Sequence, residues 1–454
     1  MGKLKEKYGL SVAIAMVVGV VIGSGVFYKA DDVLSYTNGN LLLALLAWAG
    51  GAFAMIFGAL TFAEFAMRYQ TANGIVDYFE VAYGKKVGYL VGWFKGFLYF
   101  APLSAILAWL SGNFTMILFG HNDADNASAT WILAVLYMTG LYILNYYAPT
   151  VSGKMQVTTT IIKLIPLLLV AVVGIIAGLA NGVSLQNFGE ASKTFTGDKR
   201  FLPMAIVSTA FAYEGWTVSM SINSEIRDSK KNLPRALTIG SLIVFLVYVL
   251  YFLGITSVLP TEEIVSQGNA SVAVVTTSLF GTVASTLLVV FIVISVLGTL
   301  NGLVIACMRS PYSLAIRGQG PWPKKISYVD PKTDMPPYAA IFAYLMSVFF
   351  TALWYGSFNN WYGRFISIDE IPIVMIYGFY ILLYIWYMLH FKDLPWRKRY
   401  LKPIFAMIGA CIILYGGMTN PQIGIYMVIS LLVCGLGLFF YKDEKKFKDS
   451  EDLL

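Results

Sequence analysis

Charge is scarce in this chain. Of 454 residues, 13% are Asp, Glu, Lys or Arg and 58% are hydrophobic, whereas a soluble domain carries roughly 25% charged residues. No long polar stretch interrupts the apolar ones, so a soluble enzyme, a disordered chain and a collagen-like rod are excluded. Histidine is scarcer still. His121 and His390 are the only two, and both flank apolar runs, which argues against a membrane-embedded metal hydrolase with clustered ligands. Cys307, Cys411 and Cys434 lie inside apolar runs and outline no disulfide framework. A Walker-type phosphate loop is missing, as is a repeated pore motif or a ring of charge, so ATP-driven transport and a channel lose support. The net charge of +7 reads as topology rather than affinity for nucleic acid. Enzymatic chemistry, a metal and a cofactor are all unexpected.

What the chain does have is apolar runs of membrane-spanning length. A hydrocarbon core of about 30 Å needs about 20 helical residues. Such runs lie near 10–35, 40–67, 87–120, 130–148, 156–180, 201–224, 235–259, 282–310, 337–355, 365–389, 402–419 and 421–441. The fold class expected is an all-α polytopic membrane protein with twelve spans, and the whole chain reads as one transmembrane domain. The first run follows Lys3, Lys5 and Lys7 like a signal peptide, but no small-residue cleavage site ends it. With the N-terminus inside, the cytoplasmic side collects most of the basic residues, among them Lys85, Lys86, Lys95, Lys154, Arg227, Arg317 and Arg397. Lys29, Lys193, Lys199, Arg200 and Arg364 fall outside, and Lys163 falls within a span. That bias puts both chain ends in the cytoplasm, and the location expected is the plasma membrane.

Two spans carry helix breakers at matching depth. Span one contains Ile22-Gly23-Ser24-Gly25-Val26-Phe27, with Gly23 about 20 Å along the helix from Leu10. Span six, running the other way, contains Phe211-Ala212-Tyr213-Glu214-Gly215-Trp216, with Gly215 about 21 Å from Phe201. Interrupted helices of opposite direction point to an inverted-repeat transporter: spans 1–5 (about 10–180) against 6–10 (about 201–389), with two further helices at about 402–441. Unwinding frees backbone N–H groups on one side of each break and carbonyls on the other. A zwitterionic amino acid fits both, its carboxylate on the N–H groups of Gly23, Ser24 and Gly25. Its ammonium would lie on the carbonyls near Val21, Phe211 and Glu214. The competing reading is that the glycines merely allow close helix packing.

Lys163 lies about 13 Å beyond Lys154, near the midplane, where a lysine costs about 2.5–3.5 kcal/mol and must find partners inside the protein. Glu64 reads as a cytoplasmic ion pair with a nearby basic residue. Asp77 and Glu80 read as solvated loop residues, and Asp369 and Glu370 as a solvated helix start. Tyr99 and Pro102 are candidates to line a side-chain pocket. His121-Asn122-Asp123-Ala124-Asp125 is a weak metal signal.

These motifs resemble the amino acid–polyamine–organocation superfamily. Within it the chain is similar to the L-type amino acid transporter family and its bacterial serine/threonine and alanine/serine/cysteine exchangers. The similarity extends to Asn232-Leu233-Pro234-Arg235-Ala236 and to Ser295-x-x-Gly298-x-Leu300-Asn301-Gly302. The resemblance implies a LeuT-like 5+5 inverted repeat with helices 1 and 6 unwound. It implies sodium-independent exchange of small neutral L-amino acids (Ala, Ser, Cys or Thr type) by alternating access. Carried over by position, Val21, Ile22, Gly23, Ser24, Gly25, Phe211, Ala212 and Glu214 hold the substrate, and the Phe211 ring shields it from the outer vestibule. Lys163 takes the place of a sodium ion, bridging a carbonyl near Gly23 to the Ser295 hydroxyl. Glu214 stands where animal members commonly have glycine, which keeps a proton-coupled symporter open as the alternative. Residues 121–130 contain no cysteine, so no disulfide-linked heavy chain is expected. The partners expected are amino acid substrates and the lipid bilayer, with the protein working as a monomer.

Overall fold

The computed structural model describes residues 9–23, 25–69, 74–121, 126–191, 201–217, 220, 226–368 and 370–442. The first apolar run comprises α1 (Leu10–Val21), α2 (Gly25–Tyr28) and α3 (Ala30–Tyr36). Next come α4 (Leu41–Arg68), the short α5 (Ile75–Tyr83), and α6 (Lys85–Phe94), which continues through a π-helical turn at Lys95–Phe100 into α7 (Ala101–Leu118). After them come α8 (Ser128–Tyr147), α9 (Pro149–Asn181) and α10 (Val183–Ala191). The second half contains α11 (Phe201–Ala212), α12 (Ser229–Val258), α13 (Thr261–Gln267) and α14 (Ser271–Ala315), the last interrupted at Gly281. It ends with α15 (Pro323–Ile326), α16 (Pro337–Phe358), α17 (Glu370–His390), α18 (Lys402–Thr419) and α19 (Ile423–Phe439).

Among the described residues, nine helical stretches are long and apolar enough to cross a membrane, and the bent first run makes ten. α11 and α19 are shorter apolar helices. Together they coincide with the twelve runs read from the sequence. No strand occurs among the described residues, only an isolated bridge between Asp330 and Met335. The protein is thus an all-α, multi-pass membrane protein.

α9 shows how such a helix is placed. Ile161, Val172, Ile176 and Leu179 are exposed, while Lys163, Leu167 and Val170 are buried, so one stripe faces lipid and the other faces neighbouring helices. α12 packs on α9 and α4, and α18 on α4 and α17. The chain enters α4 through Asn40, whose side chain accepts a bond from the Leu43 N–H at 3.1 Å, capping the helix.

Four residues differ from the sequence reading. Lys95, counted with the cytoplasmic basics, is buried in the π-helical turn. Asp77 and Glu80 are on α5 rather than in a solvated loop, and both pair with Arg317 just beyond α14, Glu80 at 3.0 Å. Lys29, counted outside, is buried and bonds to Asp32 at 2.9 Å. In each case a charge that the pattern assigned to water lies against other protein groups instead: carboxylate–cation pairs for Lys29, Asp77 and Glu80, and the Tyr99 and Phe100 rings for Lys95. Glu64 does pair with Arg68 at 3.1 Å, and Arg68 also holds Asp393 at 2.9 Å. Asp369 lies outside the described residues, as do Lys193, Lys199 and Arg200.

Candidate functional site

Both expected breaks are present, and they meet. α1 ends at Val21, and Ile22 turns extended (φ −69°, ψ 100°) before α2 begins at Gly25. α11 ends at Ala212, and the chain turns through Tyr213 and Glu214 to Gly215, whose φ of +104° lies in the left-handed region that side chains disfavour. A Cβ on Gly25 would stand 2.4 Å from the Ala212 Cα, so the two broken segments touch backbone to backbone. Close packing at Gly25 thus lies directly beside the interruption that begins at Ile22. A second interruption follows at Lys29, between α2 and α3.

The freed carbonyls are partly spoken for. The Tyr248 hydroxyl of α12 shares its one proton between Val21 O at 2.8 Å and Ala212 O at 3.1 Å, tying both breaks to one side chain. Phe211 O accepts the Glu214 N–H at 3.2 Å. A carbonyl has two lone pairs, so Val21 and Phe211 each keep an acceptor site. Behind Tyr248, Trp48 and Tyr213 form an aromatic wall with ring centroids 5.1–5.8 Å apart.

A cavity of about 590 Å³, part of it open to solvent, lies against the breaks. Val21, Gly23, Gly25, Phe211, Ala212 and Glu214 line it, as does Tyr99. Ile22 is buried but does not line it, nor does Pro102. Ser24 lies outside the described residues. Leu103, Leu107 and Leu303 supply an apolar side, suited to a small side chain. The Phe211 ring packs edge-on against Tyr28 at 5.9 Å, with the Lys29 ammonium 5.3 Å from its centroid.

Lys163 is fully buried. Its ammonium donates to Gly19 O at 2.7 Å and to the Thr299 hydroxyl at 2.9 Å. The expected partners, a carbonyl near Gly23 and Ser295, are each displaced by about one helical turn. Ser295 is buried with its hydroxyl unpartnered, and only its carbonyl is engaged, by Thr299 at 3.2 Å. The bridge thus joins α1 just before its break to an α14 residue that lines the cavity.

Glu214 contributes a side chain as well as its backbone. The Tyr99 hydroxyl donates to Oε1 at 2.5 Å, while Oε2 is buried without a partner. On α17, the buried Tyr377, Tyr380 and Tyr384 repeat at helical spacing with equally unpartnered hydroxyls. Of the residues that the sequence reading missed, Thr299 stands four positions after Ser295 and hence on the same helix face. Tyr248 carried no local signal at all.

Comparison with known proteins agrees with this geometry. The model of the amino acid permease family matches residues 8–445. The serine/threonine exchanger SteT of Bacillus subtilis (strain 168) is 30% identical, over 98% of this chain and 98% of that protein. The b(0,+)-type amino acid transporter 1 of Mus musculus is 25% identical over 96% of this chain and 88% of its own. The cystine/glutamate transporter of Homo sapiens is 25% identical over 79% and 72%. The chain belongs to the amino acid permease family of the amino acid–polyamine–organocation superfamily: it is an amino acid transporter of LeuT-like polytopic fold, not an enzyme.

Proposed function

We propose that this transporter is a sodium-independent antiporter that exchanges small neutral L-amino acids of the Ala/Ser/Cys/Thr type across the plasma membrane by alternating access. The observation that carries the reading is the Lys163 bridge from Gly19 O to Thr299 Oγ1. A fixed cation there does the work that a bound sodium ion would do at a broken helix, holding α1 to α14 through oxygen ligands. The substrate carboxylate lies on the backbone N–H groups of Gly23, Ser24 and Gly25, at the start of α2. The ammonium takes the remaining acceptor sites on the Val21, Phe211 and Glu214 carbonyls, and Phe211 closes over the side chain. The serine/threonine exchanger named among the relatives supports the substrate size, as do the leucines of the cavity. Residues 10–180 and 201–389 form the two repeats, with 402–441 appended. Both chain ends face the cytoplasm, and the protein works as a monomer without a disulfide-linked heavy chain.

One observation favours a second reading. The unpartnered Oε2 of Glu214 is a proton acceptor beside the substrate cavity, as a proton-coupled symporter requires. Radiolabelled L-serine uptake into proteoliposomes, with neither Na⁺ nor a pH gradient, separates the two. Uptake only into vesicles preloaded with L-serine or L-alanine is the expected result. Uptake into empty vesicles driven by an imposed pH gradient would replace exchange with symport.

A further inference from the structure

Lys95 and Glu214 are separated by 119 positions in the chain, and Tyr99 stands between them. The π-helical turn at Lys95–Phe100 widens the helix, which leaves the Lys95 ammonium 5.4 Å from the Tyr99 ring centroid and 5.2 Å from that of Phe100. The Tyr99 hydroxyl then donates to Glu214 at 2.5 Å. Lys95, Tyr99 and Glu214 are all buried, and Tyr99 and Glu214 line the cavity. Of the other buried cations nearby, Lys163 is committed to Gly19 and Thr299, and Lys29, beside the Phe211 ring, is paired with Asp32. The α17 groups coupled to Glu214 are the phenols of Tyr377, Tyr380 and Tyr384.

We infer that Lys95 is a specificity-determining residue: its ammonium balances the Glu214 carboxylate across Tyr99, and the balance restricts the cavity to amino acids with uncharged side chains. This rests on the amino acid site assigned above and adds the charge class of the side chain it accepts. An isolated carboxylate in a buried site attracts any cation that fits. With Lys95 in place, a cationic side chain meets attraction from Glu214 and repulsion from Lys95 together. The separation from Nζ through the ring to Oε1 is at most about 11 Å, and at an effective dielectric of about 20 the repulsion between Lys95 and a cationic side chain seated against Glu214, at about that distance, is worth about tenfold in affinity. Removing Lys95 releases that factor to cationic substrates, and removing the Glu214 charge releases it to anionic ones.

The test uses purified full-length protein, labelled L-serine binding at neutral pH, and near-isosteric competitors: L-homoserine, L-2,4-diaminobutyrate and L-aspartate. Lys95→Met is expected to shift the diaminobutyrate-to-homoserine ratio about tenfold toward the cation, and Lys95→Met with Glu214→Gln to bring it back. Glu214→Gln alone is expected to shift the aspartate-to-homoserine ratio about tenfold toward the anion, which keeps the inference testable if Lys95→Met does not elute as a folded monodisperse species. Ratios unchanged from wild type in either folded variant overturn the inference. Absence of L-serine binding by the wild type refutes instead the substrate class on which it rests, and the inference with it.

Discussion

Replacing Thr299 by valine preserves the branched shape of the side chain and deletes the hydroxyl that receives the Lys163 ammonium at 2.9 Å. Lys163 is fully buried, so no water replaces that acceptor, and the ammonium is left with Gly19 O alone. A buried hydrogen bond to a charged group contributes about 1.5–3 kcal/mol. If the bridge exists in one of the two alternating states and is absent in the other, its loss moves their equilibrium by the same amount, about 10- to 150-fold. Ser295→Ala makes the control, because the Ser295 hydroxyl is buried without a partner and deleting such a group costs little. The assay is the rate of labelled L-serine exchange in proteoliposomes loaded with unlabelled L-serine, with reconstituted protein quantified in each preparation. Thr299→Val is expected to slow exchange at least tenfold and Ser295→Ala to stay within about twofold of wild type. Thr299→Val at the wild-type rate, or Ser295→Ala as slow as Thr299→Val, would refute the assignment of the bridge to Thr299.

Two further outcomes follow from contacts around the site. Tyr248→Phe removes the one O–H that is shared between Val21 O and Ala212 O; at about 0.5–1.5 kcal/mol for a hydrogen bond it should destabilise the fold by about that much, and an unchanged thermal unfolding temperature in detergent would contradict this. Hydrogen bonds from Arg68 hold the Asp393 carboxyl below its usual range. A lowered carboxylate contributes stability above its unfolded value of about 3.9 and loses it as pH falls through the lowered one. Asp393→Asn should therefore lower the unfolding temperature at pH 7 and progressively less in acid, whereas a difference that persists undiminished at pH 3 would contradict the pairing.

What the sequence makes legible here is depth along the membrane normal. Run length fixes the spans because hydrocarbon thickness is a physical constant of the problem. Glycine pairs show the breaks because a weakened helix at midplane depth has a local cause. Lys163 is conspicuous because so few charges lie that deep. Rotational register and pairing are less legible. Ser295 and Thr299 occupy the same face of α14, and only coordinates choose between heights about 6 Å apart. Asp77 meets Arg317 across 240 positions, and Tyr99 meets Glu214 across 115; no local pattern encodes either.

Solved pairings separate the buried lysines into kinds that composition cannot distinguish. Lys29 has a carboxylate, Asp32, at 2.9 Å. Lys95 has two aromatic faces and, through Tyr99, the carboxylate of Glu214. The two hydrogen bonds of Lys163 go to a carbonyl and a hydroxyl, both neutral. Neutral oxygens arranged around one positive charge at the junction of a broken helix and its neighbour are the ligand set that a hard monovalent cation would also choose. An ammonium tethered in that set satisfies the same oxygens in every state in which the junction is closed. In the proposed exchange, closing the junction then takes up no ion from solution, and the arrival and departure of substrate between the two breaks sets their conformational equilibrium. The arrangement supports the proposed exchange over ion-driven accumulation as long as Glu214 keeps its charge through the cycle, and in the inference drawn above Lys95 is the residue that balances that charge.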